Sequence, residues 1–210
     1  MVELVQAPTT LKLDLACGQN CKEGFEGVDL LAPTAKHKWD LLKFPWPIAD
    51  SSVEELHSSH FIEHIPMAYL NRPLPGELGE GHSYIELTAT PLYPSSRDLL
   101  FAFFDECYRV LVPGGTMSVV CPSVRNERAF WDPTHRRFIA QITFCYLSKS
   151  WRTEQKLDHY RVDCDFQGNV GFSHMDTYKG RADEVQQRAF ASEWNLIVDY
   201  IVTLKSLKKA

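Results

Sequence analysis

The chain has 210 residues, 44% of them hydrophobic and 23% charged, with a formal net charge of −5. That length suits one globular domain, read here as 1–210, with a sizeable core. There is no run of roughly 18 apolar residues to cross a membrane, and the acidic balance argues against nucleic acid as a partner held by bulk electrostatics. The first ten residues, MVELVQAPTT, lack the basic start and apolar stretch of a secretory signal, so a cytoplasmic location is expected. The six cysteines contain no C-x-x-C pair, and Cys107 and Cys121 fall in apolar runs; reduced thiols in an intracellular protein are expected.

In chain order, Leu11, Leu13 and Leu15 alternate with Lys12 and Asp14, which predicts a first strand. A small-residue turn, Ala16, Cys17 and Gly18, follows it. Phe25–Leu31 predicts a second strand ending near Asp29. KHKWDLLKFPWP predicts a third, brief one stopping near Asp40, before a proline-rich loop. SVEELHSSHFIEHI predicts a fourth, left at Ser58, Ser59 and His60. Residues 66–96 hold five prolines and three glycines and predict a long lid or substrate loop. From Arg97, apolar residues at spacings of three and four (Leu99, Leu100, Phe103, Phe104, Cys107, Val110, Leu111) predict a helix. VPGG ends it, and TMSVVCP predicts another strand. Late strand material is expected around HYRVDCDFQGNVGF and WNLIVDYIVTLKSL, with a short helix at RADEVQQRAFASEWN.

Three acids, Asp14, Asp29 and Asp40, therefore fall at three successive predicted strand ends. Each alone has an ordinary explanation as a turn carboxylate or a cap. Together, in an α/β sheet, they would line the crevice beyond the carboxyl ends of the strands. The turn after the first strand uses small residues so that backbone N–H groups can approach a ligand. No lysine follows Gly18 in the manner of a triphosphate cradle, and the G-x-G-x-x-G fingerprint of nicotinamide enzymes is absent.

The fragments LDLACG, GVDLL, WDLLKFPWPIADSSVEELHSSHFIEHI and FFDECYRVLVPGGTMSVVCP resemble, in order and spacing, class I S-adenosylmethionine-dependent methyltransferases. The nearest pattern is a branch reading L-x-L-G-C-G, G-x-D, D-L…P-x-P-F-x-D-x-S-x-D, S-S-H-x-x-E-H and R-V-L-K-P-G-G. The match covers Leu11 to Pro122 and continues through DPTHRRF, which resembles the branch's D-P-T-H-x-R-x-F. The resemblance implies an α/β, Rossmann-like, mostly parallel sheet with helices on both faces and antiparallel late strands. Only about a dozen residues separate the first two strands, so the first helix is expected to be shortened.

The same resemblance implies S-adenosylmethionine as cofactor and S-adenosylhomocysteine as product. Asp14 and the backbone of Ala16, Cys17 and Gly18 would cradle the methionine moiety, and Asp29 would hold the ribose hydroxyls. Asp40 and Leu41 would border the adenine, while Ser59 and His60 would line the floor beneath the sulfonium. Ala16 stands where the branch carries the first glycine of its G-x-G.

Methyl transfer needs alignment and, for an oxygen or nitrogen acceptor, removal of a proton, for which histidine is suited near neutrality. His64 and His135 are the candidate catalytic residues, with His60 and His82 behind them. His64 lies one helical turn after His60, so the two would share a face. Alternatively, each is a structural histidine, and in DPTH Asp132 would cap a helix starting at Pro133. Glu63 is adjacent to His64 and is not expected to form a dyad with it. His60, His64, Asp132 and His135 together are a conceivable ligand set, but H-x-x-x-H without the zincin glutamate recurs by chance, so no metal is expected. Arg125, Arg128, Arg136 and Arg137, interleaved with Phe130 and Trp131, are either a solvated helix face or a clamp for an anionic acceptor. The expected acceptor is a small molecule or saccharide. Two other readings stay open: a cofactor-binding regulatory protein without turnover, and a methyltransferase of RNA or protein. The oligomeric state is not legible.

Overall fold

In the computed structural model, residues 11–71, 86–92 and 95–209 are described. His82 lies outside them, as does much of the expected 66–96 loop.

The chain begins with β1 (Leu11–Leu15) and β2 (Glu26–Val28), joined by turns with no helix between them. The expected first helix is therefore absent altogether. The N–H of Lys22 donates to Asp14 Oδ2 at 2.7 Å and closes the connection instead. The expected third strand is also absent. His37 makes a single parallel bridge to Val28, after which Asp40 Oδ1 captures the N–H of Leu42 at 2.9 Å and turns the chain. An Asx-type turn followed by Pro45 and Pro47 removes the donors a strand needs. Asp40 thus sits in a turn rather than at a strand end.

Next come β3 (Val53–Ser59), β4 (Tyr69–Asn71), β5 (Glu86–Thr88) and β6 (Arg97–Asp98). The last three make a small antiparallel sheet in the order β5-β4-β6, within a region expected to be irregular. Helix α1 (Leu99–Val110) follows, its N-terminus capped by Asp98, whose side chain accepts from the N–H of Leu100. Its predicted apolar face is buried, with Leu99, Phe103, Cys107 and Val110 wholly inaccessible. Strand β7 (Leu111–Pro122) starts directly after the helix. Its register against β3 shifts between Val53 and Glu55, where residues 112–115 bulge out. A Cβ on Gly115 would stand 3.0 Å from the Glu54 carbonyl oxygen, so any other residue would crowd that bulge.

The remaining elements are α2 (Arg128–Trp131), a 3-10 segment at Gln141–Leu147, α3 (Lys149–Glu154), β8 (Phe166–His174), α4 (Asp183–Ser192) and β9 (Ile197–Ser206). Among the described residues the main sheet has six strands in the order β2-β1-β3-β7-β9-β8. The first four run parallel and the last two antiparallel, as expected. One core joins Leu13, Leu15, Leu56, Met117, Val119, Val202 and Leu204 from the sheet to the buried face of α1. No helix among the described residues is long and apolar enough to cross a membrane.

The segment 141–166 is tied in by Arg152, 3% exposed. Its guanidinium donates to the carbonyls of Tyr146 (2.6 Å), Val162 (3.0 Å) and Cys164 (3.0 Å). Arg152→Ala orphans three carbonyls and is expected to cost roughly 3 kcal/mol, read as a lower urea midpoint. Arg152→Lys recovers only part, because an ammonium cannot span three acceptors set out for a planar fork.

Candidate functional site

The parallel strands β1, β2, β3 and β7 end on one edge of the sheet, and the antiparallel β9 begins there, with Asp199 opposite Pro122. Nearly every residue singled out from the sequence lies on that edge.

Asp14 sits inside β1, 3% exposed. Ala16 and Gly18 both take the left-handed conformation, at φ 58° and 55°. The N–H groups of Ala16 and Cys17 donate to the Val28 carbonyl at 2.8 and 3.3 Å, and that of Gly18 to Asp29 Oδ2 at 3.1 Å. These three donors, expected to approach a ligand, are thus used inside the protein, and the turn offers its shape rather than its N–H groups. Burial pushes the Cys17 thiol up to about 11, which makes it inert. Gly18 faces open space, since a Cβ there would meet nothing within 4 Å.

Asp29 follows β2, and its Oδ1 accepts the N–H of Leu31 and of Ala32, both at 2.8 Å. Burial opposes its ionisation, but the N–H donors of Ala32, Leu31 and Gly18 outweigh it and hold the carboxyl below its usual range. Asp40 is half-buried. Leu41, by contrast, is 5% exposed and belongs to the core, and its carbonyl accepts from Trp46 Nε1. Of that pair, only Asp40 remains as a side chain for the crevice.

The left-handed Ala16 carries strain that glycine would not. Ala16→Gly is expected to stabilise the fold by about 1 kcal/mol at most, since the greater freedom of the unfolded glycine chain opposes the gain. Chemical denaturation of the two proteins decides it.

Ser59 ends β3, and the N–H of His60 donates to the Val120 carbonyl at 2.8 Å. His60 is itself left-handed, at φ 53°. A short 3-10 turn, Ile62–His64, follows and is stopped by Pro66, which holds Ile65 extended at ψ 123°. His60 and His64 are therefore not on one face of an α-helix, and the expected pairing fails. His60 Nδ1 instead lies 3.3 Å from Glu63 Oε1. That carboxylate raises the histidine's pKa, against the effect of burial and with help from Asp199.

His64 meets His135, with ring centroids 4.7 Å apart and planes at 78°. The two are brought together by the arginines next to His135. The N–H groups of Arg136 and Arg137 donate to the Glu63 carbonyl at 2.8 and 3.0 Å. The Arg137 side chain adds bonds to the carbonyl of Ile65 and an ion pair with Asp98 at 2.9 Å. No helix begins at Pro133. Asp132 Oδ1 accepts from both the N–H and the hydroxyl of Thr134, each at 2.7 Å, and closes a turn.

The expected four-arginine anion clamp is mostly committed elsewhere. Arg125 donates to the carbonyls of Phe190 and Glu193, and Arg137 is occupied as above, which leaves Arg128 and Arg136. Arg128 lies 3.8 Å from Asp199. Phe130 stacks on Phe138 at 4.6 Å, and both are exposed.

Three polar residues at this edge were given no role from the sequence. His57, half-buried and bonded to Ser118 Oγ at 2.6 Å, pairs with Asp14 across β1 and β3. Ser58 is wholly buried, with no hydrogen-bond partner for its hydroxyl. Asp199 leaves Oδ1 buried and unpartnered; its one sequence signal is an acid within the apolar run LIVDYIV. A cleft of about 730 Å³ lined by Arg97, Asp105, Glu106 and Arg109 shares no residue with this edge.

No protein-family model matches the chain, and no curated protein does. Solved structures do. A SAM dependent methyltransferase from Archaeoglobus fulgidus is 16% identical, with a TM-score of 0.55 over 95% of this chain and 87% of that one. An S-adenosylmethionine dependent methyltransferase from Mesorhizobium loti is 12% identical, with a TM-score of 0.47 over 93% of this chain and 90% of that one. At such identity a likeness concerns architecture, and by the first of these the chain has the Rossmann-like fold of class I methyltransferases.

Proposed function

We propose that the protein is a methyltransferase that binds S-adenosylmethionine and methylates an oxygen or nitrogen of a small-molecule or saccharide acceptor. The observation that carries this is the left-handed Ala16–Gly18 turn, braced by Asp29, at the carboxyl end of β1. The residues present fit the cofactor. Gly18 leaves open space beside the turn. Asp29 spends three acceptor positions on backbone N–H groups, and its Oδ2 keeps one for a ribose hydroxyl. Asp40 uses Oδ1 on Leu42, and Oδ2 can accept from an adenine amino group.

The bound cofactor supplies a methyl group on a sulfonium that is itself the leaving group. The chain's part is to place the acceptor in line with that methyl and to receive its proton. His135 Nδ1 lies 2.8 Å from the Ala129 carbonyl, which can only accept. Nδ1 therefore carries hydrogen, and in the neutral ring Nε2 keeps the lone pair that a proton from the acceptor needs. The stacked and exposed Phe130 and Phe138 offer a flat apolar face for a sugar or aromatic ring nearby.

Calorimetry with S-adenosylmethionine and S-adenosylhomocysteine tests the reading. Both are expected to bind, and Asp29→Ala is expected to weaken each by tenfold or more, the equivalent of about 1.4 kcal/mol. Absence of binding by either ligand at millimolar concentration, in folded protein, overturns it.

A further inference from the structure

We infer that Glu63, His64 and His135 form a binding site for a divalent transition metal ion of the zinc or iron(II) class. One ligand atom from each of the three residues lies within 4.8 Å of the others. Sequence spacing argued against a metal because it considered His60 with His64; the fold replaces that pair with a carboxylate and two imidazoles from separate segments.

What points to a cation is a buried carboxylate oxygen, Glu63 Oε2, that no donor meets. Glu63 is 2% exposed, and neither of its oxygens has a hydrogen-bond partner. His60 Nδ1, 3.3 Å from Oε1, is the ion-pair partner of that oxygen, and Oε2 has none. A buried carboxylate in that state is costly unless a cation meets it. In their neutral form the two imidazoles supply lone pairs rather than protons. His135 gives its Nδ1 hydrogen to the Ala129 carbonyl. His64 Nδ1 lies 3.0 Å from Thr134 Oγ1, whose own hydrogen goes to Asp132 Oδ1 at 2.7 Å. The threonine oxygen must therefore accept, so His64 Nδ1 also carries hydrogen, and in the neutral ring its Nε2 keeps a lone pair.

Each histidine thus has its tautomer set by an outer oxygen, the arrangement that metal-binding histidines usually have. Two neutral imidazoles and one carboxylate suit zinc or iron(II) and suit magnesium or calcium poorly. Bonds of about 2.1 Å put tetrahedral ligand atoms roughly 3.4 Å apart, so from separations of up to 4.8 Å the two part-exposed rings have to close by at most about 1.4 Å. Three protein ligands leave at least one coordination position open. If the methyl-transfer reading holds, an acceptor hydroxyl in that position would lose its proton more easily, and the histidines would act through the metal rather than as bases.

The test uses the metal alone, so it does not depend on the cofactor. Metal-stripped full-length protein is titrated with cobalt(II) and zinc, by visible absorption and calorimetry. One equivalent per chain is expected, with intense cobalt bands displaced by zinc. Glu63→Gln and His135→Asn are expected to lose the bands, whereas His174→Gln keeps them. Circular dichroism checks each fold. Should the Glu63 or His135 variant misfold, Thr134→Val, at an exposed position, is expected to weaken cobalt binding by about tenfold to a hundredfold. Sub-stoichiometric binding, or bands that survive in folded Glu63→Gln, overturns the inference. So does a proton on His64 or His135 Nε2 at neutral pH that zinc does not displace, which would make the cluster an imidazolium–carboxylate pair.

Discussion

Gly27→Ala is expected to lower stability by about 1–2 kcal/mol, as overpacking does, and to weaken S-adenosylmethionine binding by about tenfold, a loss of about 1.4 kcal/mol. Gly27 lies in the middle of β2, at an ordinary strand position, so the effect does not come from backbone conformation. It comes from the turn packed over it. A Cβ on Gly27 would stand 2.6 Å from Cys17 Sγ and 3.2 Å from Cys21 Sγ. The Cys17 side chain is a single atom beyond Cβ, so relieving the clash means rotating the thiol away or lifting the turn. Lifting the turn displaces the segment whose N–H groups hold Val28 and Asp29. Adding Cys17→Ala removes the 2.6 Å contact and leaves Cys17 Cβ at 3.4 Å and Cys21 Sγ at 3.2 Å, a tight contact that a small shift of the thiol relieves. The double variant is therefore expected to recover most of both losses, a coupling that a double-mutant cycle measures by denaturation and calorimetry. Wild-type behaviour of Gly27→Ala would show that the turn does not rest on β2.

Glu106→Ala is expected to lower stability by about 3 kcal/mol, because it leaves the half-buried Arg109 guanidinium and the Trp46 N–H without their acceptor. Glu106 is 7% exposed on α1. Its Oε1 accepts the N–H of Trp46 at 2.5 Å and Arg109 Nη2 at 2.6 Å, and its Oε2 accepts Arg109 Nε at 2.9 Å. Arg109 in turn donates to the carbonyl of Ile48 at 2.9 Å and pairs with Asp50. One carboxylate thus anchors residues 46–50 to the helix. In a chain of this length, 3 kcal/mol corresponds to a drop in Tm of roughly 6–12 °C. Glu106→Gln keeps an acceptor for Trp46 and is expected to lose about half as much. Because the anchored loop continues from Asp40 and Leu41, cofactor affinity is expected to fall with stability. A Tm within 2 °C of wild type would sink this assignment.

Much of the architecture was legible because it depends on local periodicity. Alternation marks Leu11–Leu15, the three-and-four spacing marks α1, and the apolar run from Ile197 marks β9. What misled was the brief run from Lys36 to Asp40. Its pattern predicts a strand before the proline-rich loop, yet only His37 bridges the sheet and the Asp40 side chain turns the chain out of it. The 3-10 turn at Ile62–His64 misled in the same way: S-S-H-F-I-E-H reads as one α-helical turn, and Pro66 cuts it short.

By itself, the order of residues determined β1, β2, β3, α1, β7 and β9, the parallel sheet with late antiparallel strands, and the acids and histidines at the strand ends. That information is local, because period and turn chemistry act within a few residues. Tertiary structure alone decided what those side chains do. The Ala16–Gly18 donors went to Val28 and Asp29, Leu41 went to the core, and Arg125 and Arg137 became braces rather than a clamp. It also placed Glu63, His64 and His135 together across some seventy residues of chain. Hydrogen-bond capacity is finite, and which partner satisfies each group depends on distances that no spacing along the chain encodes.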